Sequence, residues 1–174
     1  EEAVHQIRAM RELVYDSETK LMYHVWDDVK EEYVNSDFWG IGMGLALMGM
    51  VKTVQYLEKE EQKEEIKTYA MELLDTLLLY KDKIGMFHNI VNDPEADLSQ
   101  EVACAVYSGI YQGWLPRSYQ KYADEMRKMA QDCVDEYGFV RNVCGTPTFA
   151  ALSVSVEAQA MFLQMEAAAI RLGL

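Results

Sequence analysis

The chain has 174 residues, half of them hydrophobic and 11% aromatic, with 16 Lys and Arg set against 29 Asp and Glu. That length suffices for one domain with a real core, and only 3 Pro and 10 Gly exclude a disordered, collagen-like or low-complexity chain. A formal net charge of -13 argues against nucleic acid or an anionic membrane as the main partner, because phosphate repels such a surface at long range.

No stretch approaches the roughly 18 uncharged apolar residues that a membrane span needs. Cys104, Cys133 and Cys144 form no C-x-x-C pair and no metal-like spacing with the histidines, so neither a disulfide framework nor a metal site is expected. Free thiols favour the reducing cytoplasm, while buried ones leave secretion open. The chain opens on Glu1-Glu2 inside a helical pattern, without start methionine or signal peptide, and this opening reads as an internal cut.

Helical periodicity then runs through the chain. Val4, Ile7, Leu13 and Val14 mark a first amphipathic helix, and Trp39 to Val54 is apolar almost all round. Ile66, Tyr69, Ala70, Leu73, Leu74, Leu77 and Leu78 form one stripe of a second amphipathic helix, followed by an apolar segment from Val102 to Ile110. Tyr119, Tyr122, Ala123, Met126, Ala130, Cys133, Val134 and Tyr137 mark a third, with Ser118 as its expected N-cap and Gly138 as its stop. The apolar segment Ala158 to Ala169 closes the series.

A helix apolar on every side is expected to be buried on every side. The order is thus amphipathic then buried, three times over: three outer/inner helical hairpins at about 1–58, 59–114 and 115–174, in one all-α domain. Links from inner to outer helices are short, whereas those from outer to inner are long, and long loops tend to carry function. All three long links open alike, with Leu21-Met22-Tyr23-His24, Ile84-Gly85-Met86-Phe87-His88 and Tyr137-Gly138-Phe139-Val140, a weak internal repeat aligned on Tyr23, Phe87 and Phe139. Uneven repeat lengths favour closure into an (α/α) toroid over an open solenoid.

The long links hold the candidate chemistry. The first combines His24, Trp26, Asp27 and Asp28: an indole stacks on a sugar ring, while imidazole and carboxylate bond hydroxyls or handle protons. The competing reading packs Trp26 into the base of the loop. Asn35-Ser36-Asp37-Phe38-Trp39 leads into Gly40, Gly42 and Gly44, three glycines that cost a helix about 1 kcal/mol each and so suggest close approach of a backbone or a ligand. His88, followed by Asn89, Asn92 and Asp93, repeats the placement of His24. Arg141 is the one strong cation near its Phe on a long loop and suits an anionic ligand, with a surface salt bridge as the alternative. Cys144 has no His–acid partner in sequence, so it is not read as a nucleophile.

Taken in order, Tyr23-His24-Val25-Trp26-Asp27, Phe38-Trp39-Gly40-Ile41-Gly42-Met43-Gly44, Phe87-His88 with Asn92-Asp93-Pro94, Gly113-Trp114-Leu115-Pro116, Val143-Cys144-Gly145-Thr146-Pro147 and Glu157-Ala158-Gln159-Ala160 resemble glycoside hydrolase family 105, the unsaturated rhamnogalacturonyl and glucuronyl hydrolases related to family 88. The resemblance implies a six-hairpin (α/α) barrel, of which this chain matches the C-terminal half. It implies removal of a 4,5-unsaturated uronic acid from an oligosaccharide: an Asp protonates C4, water adds at C5, and the hemiketal opens. That chemistry needs no metal, nucleotide or other cofactor. His24 matches a substrate-contacting histidine, Trp39 a tryptophan lining the sugar site, and Asp27 a recurrent aspartate. The family's proton donor lies upstream of the segment matching Glu1.

Departures accompany the match. Met43 stands where an amide is usual, Leu45 where an indole is usual, and Ala150 and Ala151 where Asp and Arg are frequent. Three functional expectations follow: half of an uronyl hydrolase, inactive alone until completed by a missing N-terminal half; a non-catalytic half-barrel that binds or self-assembles, as a homodimer; or a repeat scaffold unrelated to sugars.

Overall fold

The computed structural model describes residues 1–35, 37–88, 94–95, 97–144 and 152–174. Six helices form the frame: α1 (Glu2–Val14), α2 (Gly40–Val54), α3 (Glu60–Leu78), α4 (Asp97–Tyr111), α5 (Gln120–Asp132) and α6 (Val156–Leu172). Each long link carries a short antiparallel ribbon: β1 (Val25–Asp27) with β2 (Glu32–Asn35), β3 (Phe87–His88) with β4 (Pro94–Glu95), and β5 (Val143–Cys144) with β6 (Leu152–Ser153). The chain divides into two compact units, Glu1–Tyr80 and Lys81–Leu174, and the boundary falls within the second long link.

In the first unit α2 packs on α3. Ile66, Leu73 and Leu77 of α3 and Ile41, Leu47 and Val51 of α2 are all at most 3% exposed. Only Val4 and Val14 of α1 are buried, and two ion pairs join the helix to α3. Arg8 grips Glu65 through two bonds of 2.8 and 2.5 Å, and Arg11 bonds Glu72 while lying 3.6 Å above the Tyr15 ring and 4.3 Å from Tyr69. A guanidinium between two aromatic faces, with a carboxylate at its edge, combines cation–π attraction with an ion pair in one partly buried spot.

In the second unit α4 packs against both α5 and α6. Its sequence from Val102 to Tyr107 is buried throughout, as expected for a helix apolar on all sides. Arg127 of α5 makes a two-pronged pair with Glu166 of α6 at 2.9 and 2.7 Å. The Tyr107 hydroxyl donates to Asp124 at 2.9 Å. Burial above all, then the Asp124 charge, push that phenol well above its ordinary value of 10.0. The unfolded chain releases this proton near that value and the folded chain holds it. The corresponding stability is therefore full below pH 10 and declines as pH rises above it. Tyr107→Phe is expected to flatten the alkaline limb of a urea-melt series, and an unchanged limb would remove Tyr107 as its source.

Two boundaries differ from the sequence reading. The third amphipathic helix stops at Asp132, not at Gly138, and a 3₁₀ turn over Arg117–Tyr119 precedes it in place of a Ser118 cap. The cause is Asp135, whose side chain folds the following residues back so that Val134 bridges Val140. The helix α6 is not buried on every side: only Ala158, Met165, Ala168 and Ala169 are buried.

Candidate functional site

The first long link is built on aromatic packing. Tyr23 lies between Tyr33, at 4.6 Å, and Phe38, stacked at 5.0 Å, while Trp26 meets Tyr33 edge-on at 5.0 Å. The Tyr33 hydroxyl, which sequence reasoning passed over, donates to the Leu13 carbonyl at 2.8 Å and anchors the ribbon to the end of α1. Trp26 is thus part of the ribbon's own framework. The Asp27 carboxylate accepts the backbone N–H groups of Val29 and Lys30 at 3.0 and 3.1 Å, with the Lys30 ammonium 3.7 Å away. An aspartate so placed builds the turn it stands in.

His24 and Trp39 are brought together. Their ring centroids lie 4.5 Å apart with the planes at 41°, His24 exposed and Trp39 half-buried. Trp39 is the N-cap residue of α2, and its six-membered ring leans on the first turn. A Cβ on Gly42 would come within 3.3 Å of that ring, so this glycine makes room for the indole. The result is an open aromatic corner with one imidazole on its rim, suited to a sugar face on the indole and a hydroxyl on the imidazole. Leu45 is 40% exposed and Met43 is buried, so neither adds a polar group.

The repeated openings of the long links have a structural cause. Asp82 accepts the N–H groups of Ile84 and Met86 through one carboxylate oxygen, at 2.9 and 2.8 Å; Asp135 accepts those of Tyr137 and Phe139, both at 2.9 Å. In each, the aspartate N–H bonds the carbonyl four residues on, and a glycine with positive φ closes the turn. Asp16 opens the first link in a version one residue longer, its N–H bonding the Leu21 carbonyl. The register follows from these bonds: Met86 matches Phe139 and Leu21, and Phe87 matches Val140 and Met22. Tyr23 matches Arg141, since their N–H groups bond Val14 and Cys133 in the same way, at 2.8 and 2.9 Å. The sequence alignment on Tyr23, Phe87 and Phe139 is therefore one residue out at both ends, and His88 is not the counterpart of His24.

Arg141 is committed to this turn. Its guanidinium bonds the Asp135 carboxylate at 2.7 and 2.5 Å, and the side chain remains about half exposed. The Phe139 N–H first, and then Arg141, hold the Asp135 carboxyl below its usual range. The backbone of His88 lies in β3. Its side chain, and Ser36, Asn89, Asn92, Asp93, Gly145, Thr146, Pro147, Ala150 and Ala151, lie outside the described residues.

A further polar group appears in the second unit. Asp97, Ser99, Gln100 and Glu101 are at most 3% exposed in the first turns of α4. Ser99 Oγ and both amide atoms of Gln100 make no hydrogen bond among the described residues. The sequence reading began this helix at Val102; extending the apolar step backwards through Leu98 would have placed these residues on it. The described cleft of about 420 Å³ lies elsewhere, between α1 and α2, and its lining of Ile7, Met10, Met22, Ala46 and Met50 suits no sugar. Among the described residues no cluster of His, Cys, Asp and Glu could hold a metal, and no helix is long and apolar enough to cross a membrane.

The chain belongs to glycosyl hydrolase family 88, whose sequence model matches residues 1–161. It is 25% identical over 144 residues to the unsaturated rhamnogalacturonyl hydrolase YesR of Bacillus subtilis (strain 168), covering 82% of this chain and 41% of that protein. A structure from Klebsiella pneumoniae, described as a possible member of the GH105 family, superposes with a TM-score of 0.86 at 17% identity, over 99% of this chain and 50% of that one. A family 105 glycoside hydrolase from C. acetobutylicum superposes with a TM-score of 0.81 at 21% identity, over 98% of this chain and 57% of that one. These likenesses show the fold, the helical-hairpin (α/α) toroid class expected from the sequence. The chain spans about half the length of the relatives it matches.

Proposed function

We propose that this chain supplies part of the sugar site of an unsaturated uronyl hydrolase and that the proton donor comes from a segment outside these 174 residues. The observation that carries the reading is the His24–Trp39 corner at the head of α2, in a chain matching the family over residues 1–161. In the completed reaction a carboxylic acid protonates C4 of the enol ether and water adds at C5. The hemiketal so formed opens and releases the sugar, with the proton returned to the base left behind. The part assigned to this chain is to stack the unsaturated ring on Trp39 and to fix one hydroxyl or the carboxylate with His24. Asp27, the aspartate of the first link that matches a recurrent family position, is engaged in its own turn, which supports a donor from elsewhere.

The test uses an unsaturated uronyl disaccharide. Mixed with the chain alone, it is expected to quench tryptophan fluorescence and to keep the ultraviolet absorbance of its double bond. His24→Ala is expected to weaken binding about tenfold, the loss of one hydrogen bond to a charged or polar partner. Steady loss of absorbance would overturn the external donor, and unchanged binding by His24→Ala would overturn the corner as the site. A second reading, a non-catalytic module that self-assembles, is favoured by the uncovered face of α6.

A further inference from the structure

The C-terminal helix has two apolar faces. Ala158, Met165, Ala168 and Ala169 turn inward, in the unit where α6 packs on α4. On the other side Val156 is 88% exposed, Leu163 63% and Ile170 67%, with Ala160 half-buried and Ala167 exposed between them. The five positions advance by alternate steps of four and three residues, the 3.5-residue repeat of a two-stranded coiled coil. They form one straight stripe about 21 Å long at 1.5 Å per residue. A continuous apolar seam of this kind marks an interaction surface.

We infer that the seam is covered by α6 of a second copy of this chain, running antiparallel about a two-fold axis level with Met165. The sequence of the seam selects this occupant. In the antiparallel register Leu163 lies against the partner's Ala167, and Ile170 against the partner's Ala160. Symmetry repeats both layers, so every layer joins one large residue to one small one and the helices keep a constant separation. A parallel pair would set Leu163 on its own copy and Ala167 on its own copy, alternating overfilled and empty layers, which cost stability in both directions. Val156 at either end covers the partner's last helical turn.

The flanking charges agree. Glu157, Gln164 and Arg171 run along one edge of the seam at seven-residue steps. The same antiparallel register sets Glu157 beside the partner's Arg171, twice, and Gln164 beside the partner's Gln164 on the axis. Along the other edge Glu166 approaches its own copy. Its charge is already engaged by Arg127 through two bonds and by Gln131 at 2.9 Å. Charge pairs of this kind set partner choice and orientation in helical pairs.

The interface forms between identical surfaces, as closed two-fold assemblies require, and it rests on α6 alone rather than on the sugar reading. Sedimentation equilibrium of the full chain at tens of micromolar is expected to give a dimer. Leu163→Glu changes a residue exposed in the single chain, so circular dichroism is expected to stay unchanged while association weakens at least tenfold. Glu157→Arg and Arg171→Glu are each expected to weaken association several-fold, and the two together to restore it. A monomer throughout would overturn the proposal and leave the face to a segment outside these residues. A dimer indifferent to Leu163→Glu would overturn it as well. A double exchange no tighter than its single parents would overturn the antiparallel register.

Discussion

Phe87→Ala is expected to destabilise the protein by about 3–5 kcal/mol, the range for removing a fully buried aromatic ring, whereas Phe139→Ala is expected to cost less than about 1 kcal/mol. The two phenylalanines stand near the start of their long links, Phe87 two residues after Gly85 and Phe139 directly after Gly138. The hydrogen bonds make them successive positions of one turn: Phe87 takes the place of Val140, and Phe139 that of Met86. Phe87 and Val140 are each 1% exposed; Phe139 is 49% exposed, although Met86, at the same position of its own turn, is 7%. Urea denaturation of the two variants reads the difference in burial, and equal losses would remove burial as its cause.

Gly85→Ala and Gly138→Ala form the second comparison. Both glycines close the same aspartate-anchored turn with nearly the same backbone, φ of +87° and +86°. A side chain in that region costs about 1–2 kcal/mol by itself, and this is the whole cost expected at Gly138, where an added Cβ meets nothing within 4 Å. At Gly85 the added carbon would lie 3.1 Å from the Met126 nitrogen, 3.2 Å from the Glu125 carbonyl carbon and 3.3 Å from the Met126 Cα. These are backbone atoms of α5 and cannot swing aside as a side-chain tip does. Gly85→Ala therefore adds displacement of a packed helix to the conformational strain, for a total of about 3 kcal/mol or more. Denaturant midpoints of the pair read the difference directly, and a loss at Gly138 as large as at Gly85 would remove the contact with α5 as its cause.

The helical frame was legible because each helix declares itself over many residues. The stripe Ile66 to Leu78 became α3, and the apolar stretch from Trp39 became α2, beginning one residue later. The ribbons were not legible, since strands of two to four residues are too short to show alternation. The repeat was visible through its aromatic residues but misaligned, because carboxylate-to-backbone bonds leave no periodic trace and Asp16, Asp82 and Asp135 look like ordinary loop acids. The approach of His24 to Trp39 was readable only through the family resemblance; nothing in their spacing brings the two rings together. Asp27 and Arg141 were singled out for their charge, and the fold engages both in turn-forming bonds. The exposed seam of α6 was hidden because an all-apolar helix reads as buried, although here only one of its faces is.

The order in which the helices leave the ribosome bears on the second unit. In the first unit, α2 and its main partner α3 are consecutive and joined by a short link, so their pairing can form as soon as both have emerged. In the second, α4 is made before a short link, α5, one long link and finally α6, on which it depends for much of its cover. At about 5–20 residues per second, α4 waits a few seconds with its surface open. Synthesis rate and chaperone access during that interval, more than the strength of any finished contact, then set the yield of native protein.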